Sequence, residues 1–87
     1  MQFEGAVIKE QGVTFAIVIV KPHVLNNQTE AENLIVSFQR QAFAGIPVVL
    51  MAQNGSGTPQ YYGRRDIVNF LAHVPMAAIP WKRYSLN

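Results

Sequence analysis

The chain has 87 residues, of which 49% are hydrophobic and 14% are charged, and its formal net charge is +2. This composition excludes a disordered chain, and the length predicts one domain, residues 1–87, with a small core. The absence of cysteine excludes disulfides, thiol catalysis and cysteine-ligated zinc. The longest apolar run, residues 15–20, is far shorter than the ~20 residues of a membrane span. We therefore expect a soluble, cytoplasmic protein without a membrane contact.

The N-terminal residues predict a β-hairpin. Residues 2–9 alternate imperfectly between apolar and polar side chains, as an edge strand does. Residues 10–12 predict a tight turn in which Gly12 adopts a positive φ. Residues 13–20 are apolar at every position but Thr14, which is typical of a strand buried on both faces.

A helix and a second buried strand follow. Thr29 and Glu32 have the spacing of a capping box, so we expect the helix to begin there. Its apolar stripe ends near Gly45, and residues 46–52 again predict a fully buried strand. A buried strand, a helix and another buried strand predict a right-handed crossover in which the two strands run parallel.

The second half is organised around residues 53–66, the only long polar segment of the chain. An amphipathic helix is predicted from Arg64 to Pro75, which stops it. Residues 76–79 lie between two prolines and predict a short edge strand, followed by a basic, aromatic tail over residues 81–87. We predict a small single-domain α/β sandwich in the order ββαβ(β)αβ, with a mixed sheet and a central parallel βαβ pair.

This arrangement predicts an oligomer. If both crossovers move in the same direction across the sheet, both helices cover one face and the apolar strands leave the other face partly bare. Burying that face against a second copy is the simplest solution, and we therefore predict a homodimer.

One local segment resembles the second half of a thioredoxin domain. The elements that match are Gly45-Ile46-Pro47, an apolar run, Asn54-Gly55, Gly63 and Phe70-Leu71, about thirty residues in all. The resemblance implies an alternative, truncated thioredoxin-like topology in which residues 58–62 form a strand and the Ile46–Pro47 bond is cis. The redox cysteine pair of that family is absent, so no functional residue is implied.

The best candidate site is a positive rim at the carboxyl ends of the parallel strands, where open α/β sheets bind ligands. These ends would gather Lys21, His23 and Asn54 together with Arg64 and Arg65. The two arginines begin a helix, where the macrodipole disfavours cations by about 0.3–1 kcal/mol each. An anion that the helix start also attracts would explain them, and the alternative is that they are solvated or paired with acids.

Two further groups belong to this predicted site. Asn54, Gly55, Ser56 and Gly57 would form a backbone cradle for phosphate or, alternatively, an ordinary turn. Tyr61 and Tyr62, with Trp81 and Tyr84, would stack on a ligand or nucleic-acid bases beside the basic residues, or pack at a protein interface. With seven basic and five acidic residues, the chain does not favour nucleic acid.

Three functions remain open on the sequence alone. The first is a non-enzymatic, homo-oligomeric interaction module or a module that binds an anionic ligand or a protein partner. The second is a small enzyme acting on a phosphorylated or carboxylated substrate, with His23 as a general base. The third is a pure assembly protein. The segment matches neither phosphate-loop nor dinucleotide fingerprints, so we expect no cofactor and no metal.

Overall fold

The chain folds into one mixed sheet with helices packed on both faces. The computed structural model describes residues 1–10 and 12–86, so Gln11 of the predicted hairpin turn and Asn87 of the predicted tail lie outside the described residues. The elements are β1 (Gln2–Glu10), β2 (Val13–Ile19), α1 (Pro22–Leu25), α2 (Gln28–Gln41), β3 (Val48–Gln53), β4 (Pro59–Tyr62), α3 (Arg65–Leu71), a 3₁₀ turn (Met76–Ala78) and β5 (Lys82–Ser85).

The five strands lie in the order β4-β3-β2-β1-β5. β2 and β3 run parallel, in a register that places Ile17 beside Val49, and the other three pairs formed by the described strands are antiparallel. These two strands are the continuous apolar runs of the sequence, and their central position explains why both of their faces are buried. The predicted class, a small α/β domain with a mixed sheet and one parallel pair, is confirmed.

The two long helices cover opposite faces of the sheet. On one face Phe38 of α2 belongs to a core cluster with Val18 and Leu50, and on the other Ile67 and Leu71 of α3 pack in a second cluster around Phe15. Burying each such side chain contributes about 1.5–3 kcal/mol.

The prediction that both helices share a face is therefore wrong. The second connection runs from β4 at one edge to β5 at the other edge, against the direction of the first. No sheet face among the described residues is left without a helix over its centre. The homodimer, which rested on a bare face, stays a prediction without that argument.

Two element boundaries differ from the predicted ones for local reasons. Residues 76–78 form a 3₁₀ turn instead of an edge strand, and the last strand begins only at Lys82, since Pro80 cannot donate to a ladder with β1. The capping box does not form, because Asn27 caps α2 by accepting a hydrogen bond from the Glu30 N–H at 3.0 Å. Glu32 is thereby free for another contact.

The structure agrees with the thioredoxin resemblance in part. Residues 59–62 are the strand β4, joined to β3 by a short turn, and α3 follows. No cis peptide bond occurs among the residues described, so the implied cis bond before Pro47 is not found. The optional strand of the predicted order is therefore present, and its direction decides where the residues of the predicted site lie.

Candidate functional site

The predicted rim is divided between the two ends of the sheet. Residues 54–57 follow the carboxyl end of β3, on the same side as Lys21 and His23, which follow β2. Arg64 and Arg65 follow β4, and because β4 runs antiparallel to β3 they lie at the other end. The separation is the length of β4, roughly 13 Å for four strand residues. A single rim that gathers all of these residues is not formed.

The turn after β3 is closed by its own first residue. The Asn54 Oδ1 atom accepts hydrogen bonds from the N–H groups of Ser56 and Thr58, both at 3.0 Å, and from the Ser56 hydroxyl at 2.8 Å. The Gly57 N–H donates to the Asn54 carbonyl at 2.9 Å. Gly55 lies exposed within the turn. Because the amides of Ser56 and Gly57 are already used, the geometry is that of an Asx turn and does not favour a phosphate cradle.

Arg64 is paired with an acid, as the alternative interpretation proposed. Its guanidinium binds both carboxylate oxygens of Asp66, at 2.8 and 2.9 Å. The hydrogen bond from Arg64 is the main reason that the pKa of Asp66 lies below its ordinary value of 3.8. Arg65 is exposed and forms no ion pair within the described part of the chain. The charge of Arg64 at the helix start is therefore balanced by Asp66 without a ligand.

Tyr61 and Tyr62 point to opposite faces of the sheet. The Tyr62 hydroxyl donates to Glu32 Oε1 at 2.9 Å, and its pKa is raised by burial and by the bond to this carboxylate. Tyr61 packs beside α3, where its hydroxyl is buried without a hydrogen-bond partner in the described chain. Burial raises the pKa of Tyr61.

The other two aromatic residues of the prediction are also packed. The Trp81 Nε1–H donates to the Met76 carbonyl at 3.2 Å, and the Tyr84 ring stacks on Phe3 with 5.2 Å between centroids. Lys82 lies over the Tyr84 ring at 5.7 Å. These contacts favour packing, and they do not favour base stacking, which needs an open ring face.

A cleft between α2 and the end of β4 brings two of the predicted residues together with residues that the sequence did not single out. We call it the α2–β4 cleft; its volume is about 890 Å³. It contains Tyr62 and Arg64 of the prediction, and its lining is Glu32, Ile35, Gln39, Gly45, Ile46, Pro47, Val48, Tyr62, Gly63 and Arg64.

The α2–β4 cleft has an apolar floor and polar walls. Ile35, Ile46 and Pro47 are half-buried and supply the apolar surface. On one wall the Glu32 carboxylate is held in place by the Tyr62 hydroxyl, and Gln39 donates through Nε2 to the Ile46 carbonyl at 3.3 Å. On the other, Arg64 uses two of its five N–H donors for Asp66. A ligand would meet an acidic acceptor and a cationic donor in the same cleft.

The helical spacing contained a signal for this wall that the prediction did not use. Glu32, Ile35 and Gln39 stand at positions i, i+3 and i+7, so they share one side of α2. The sequence assigns Glu32 to the capping box, because the partner surface on β4 is not visible in the sequence.

Gly63 shapes the rim of the α2–β4 cleft where β4 turns into α3. Its φ is +157°, and a Cβ at this position would lie 3.0 Å from Val49 Cγ2 and 3.2 Å from Val49 Cα. Only glycine lets the chain pass this close to β3. The position of Arg64 in the cleft depends on that passage.

His23 lies far from these groups. It is exposed on α1, at the end of the sheet opposite Arg64 and Arg65. The base and the arginine clamp of the enzyme hypothesis are therefore not brought together. In residues 1–10 and 12–86 no group of three or more metal-ligating side chains is found, and no helix there has the length and apolar character needed to cross a membrane.

Comparison with known proteins adds no assignment. Neither family models, nor curated proteins, nor solved structures give a match to this chain.

Proposed function

We propose that the protein is a non-enzymatic binding module whose α2–β4 cleft holds a small ligand with an anionic group. The observation that supports it is the meeting of Glu32, Gln39, Tyr62 and Arg64 over an apolar floor. A volume of about 890 Å³ is in the usual range of small-molecule sites.

The charges of the α2–β4 cleft narrow the ligand class. An anionic group finds the free N–H donors of Arg64, but the Glu32 carboxylate in the same cleft would repel a ligand that is only anionic. A ligand that also carries an ammonium group satisfies both walls, while an apolar side chain covers Ile35 and Pro47. Free amino acids with apolar side chains have this pattern of groups.

Leucine and two of its derivatives provide a direct test. Amide chemical shifts of the ¹⁵N-labelled protein are followed while leucine, N-acetylleucine or leucinamide is added. The proposal expects shifts at residues of the α2–β4 cleft with leucine, and weaker binding of both derivatives because each lacks one charge.

The matched variants are Arg64→Ala and Arg65→Ala, which remove neighbouring arginines of which only the first lines the cleft. Arg64→Ala is expected to raise the Kd for leucine about tenfold or more, because the loss of one charge-assisted hydrogen bond weakens binding by at least that factor. Arg65→Ala is expected to leave it unchanged. If none of the three compounds shifts the cleft amides at millimolar concentration, or if both variants weaken binding equally, the proposal is wrong.

The other functions stay predictions. The small enzyme with His23 as base would need a substrate site near α1 that excludes the two arginines, and loss of turnover in His23→Ala would be its test. A protein or nucleic-acid partner and the cytoplasmic location likewise rest on the sequence arguments alone.

A further inference from the structure

We propose that β5 is the edge through which two copies of this chain join. In this arrangement β5 pairs antiparallel with β5 of a second copy, Tyr84 lies on the two-fold axis, and the two sheets become one. The inference does not depend on the proposed function, because the α2–β4 cleft lies toward the opposite edge of the sheet.

The hydrogen bonds at the chain ends show which groups of β5 face outward. Met1 and Leu86 bond to each other through N–H and carbonyl groups, at 2.8 and 3.1 Å. Such pairs alternate in an antiparallel ladder, so in the register that pairs Phe3 with Tyr84 the backbone groups of Tyr84 and Lys82 also face β1. The N–H and carbonyl groups of Arg83 and Ser85 therefore point away from the sheet.

The two edges of the sheet are not equivalent. At the β4 edge, the bond from the Asn54 N–H to the Thr58 carbonyl at 3.0 Å fixes the alternation, so that Pro59 and Tyr61 face outward. Pro59 has no N–H, which blocks strand addition there. β5 has no proline, and both of its outward positions offer a donor and an acceptor.

The register of the β5–β5 pair follows from the repulsion between like charges and from the number of backbone hydrogen bonds that each register allows. A two-fold axis at Arg83 would place two arginines opposite each other, which destabilises a strand pair. An axis at Ser85 leaves only the Ser85 pair bonded within β5. An axis at Tyr84 pairs Arg83 with the partner's Ser85 twice, and each of these two pairs exchanges two hydrogen bonds. This register satisfies every outward group of β5 without opposing like charges.

The side chains of β5 suit this register. Tyr84 would meet its own copy in a non-hydrogen-bonded pair, where side chains are closest and aromatic pairs stabilise sheets. The two cations have partners in their own chain, since Lys82 lies over the Tyr84 ring at 5.7 Å and Arg83 lies 3.7 Å from Glu4. In the dimer they would face Leu86 and Ser85 of the second copy, which are uncharged.

The oligomeric state and one proline variant test the proposal. A strand pair of this length is at the small end of interfaces, so we expect a dimer that dissociates on dilution in the micromolar range by sedimentation equilibrium. Ser85→Pro removes an outward N–H that the monomer does not use, and should raise the dimer Kd at least tenfold while the thermal transition of the monomer is kept. Ser85→Ala keeps the N–H and should dimerise like the natural chain.

A disulfide tests the register itself, because the chain has no cysteine. In the double variant Arg83→Cys/Ser85→Cys, residues of the two copies face each other at Cα distances of about 5.5 Å, which a disulfide can span. Oxidation should give a covalent dimer, whereas Ser85→Cys alone should cross-link poorly. A chain that stays monomeric at millimolar concentration, a dimer insensitive to Ser85→Pro, or a monomer that instead binds an acidic peptide along β5 would each overturn the proposal.

Discussion

Replacing Gly63 by alanine tests how the chain passes from β4 to α3. The new methyl group would lie 3.0 Å from Val49 Cγ2, 3.2 Å from Val49 Cα and 3.3 Å from the Val48 carbonyl oxygen. Two of these contacts are with backbone atoms, which cannot rotate away, so we expect an overpacking cost of about 1–3 kcal/mol. A φ of +157° adds strain of about 1–3 kcal/mol for alanine.

Together these effects predict that Gly63→Ala lowers the free energy of unfolding by about 2–6 kcal/mol. That is a large share of the roughly 4–13 kcal/mol expected for a domain of this length. Urea unfolding at 25 °C, followed by the fluorescence of Trp81, measures the change directly. Chemical shifts of Glu32 and Gln39 should move as well, because the rim of the α2–β4 cleft is displaced.

Two other glycines separate strain from packing. Gly57 has a φ of +83°, but a Cβ added there would meet no atom within 4 Å. Gly55 has neither a positive φ nor an atom within 4 Å of an added Cβ. We expect Gly57→Ala to cost about 1–2 kcal/mol and Gly55→Ala to stay within about 0.5 kcal/mol of zero. If Gly63→Ala is no more destabilising than Gly57→Ala, the close approach of residue 63 to β3 is not as described.

Three further predictions concern single contacts. Asn54→Ala removes the acceptor that closes the turn after β3 and should lower the free energy of unfolding by about 1–2 kcal/mol, with a smaller loss in Ser56→Ala, both measured by thermal unfolding. Tyr61→Phe removes a buried hydroxyl without a partner among the described residues, so urea unfolding should show equal stability or a gain of about 1 kcal/mol; a loss above 1 kcal/mol would mean that the hydroxyl is bonded. The pKa of Asp66 is lowered in the folded chain, so its stabilising contribution is present above pH 3.8 and is lost as the pH falls through the folded value. The stability difference between the natural chain and Asp66→Asn should shrink over that acidic range, and a difference independent of pH would contradict the ion pair with Arg64.

The central strands were predictable because their signal is local. Residues of β2 and β3 are apolar on both faces. A strand of this kind is buried only in the interior of a sheet that is covered on both faces. The helix between them fixes their parallel direction, since the crossover needs a helix of that length. These features require no knowledge of distant residues.

The edge strands were not predictable because their signal is distant. Lys82–Ser85 is a strand only because Gln2–Gly5 lies beside it, some eighty residues earlier in the chain. Pro59–Tyr62 carries a proline and a glutamine, and its pairing with β3 decides its conformation. The direction of β4 then determines whether Arg64 and Asn54 share a rim. Because this four-residue strand runs antiparallel to β3, Arg64 and Arg65 lie at the end of the sheet opposite Asn54.

The pairing of β1 with β5 also bears on the order in which the fold assembles. Its contacts join residues near the two ends of the chain, for example Phe3 with Tyr84, and closing a loop of that length costs more entropy than closing the β1–β2 hairpin. We expect the hairpin and the crossover to form before β5 docks, so that β5 closes the sheet last and opens first. In the dilute monomer, amide hydrogen exchange should therefore be fastest in β5 and slowest in β2. At concentrations at which the proposed dimer forms, the amides of Arg83 and Ser85 should exchange more slowly.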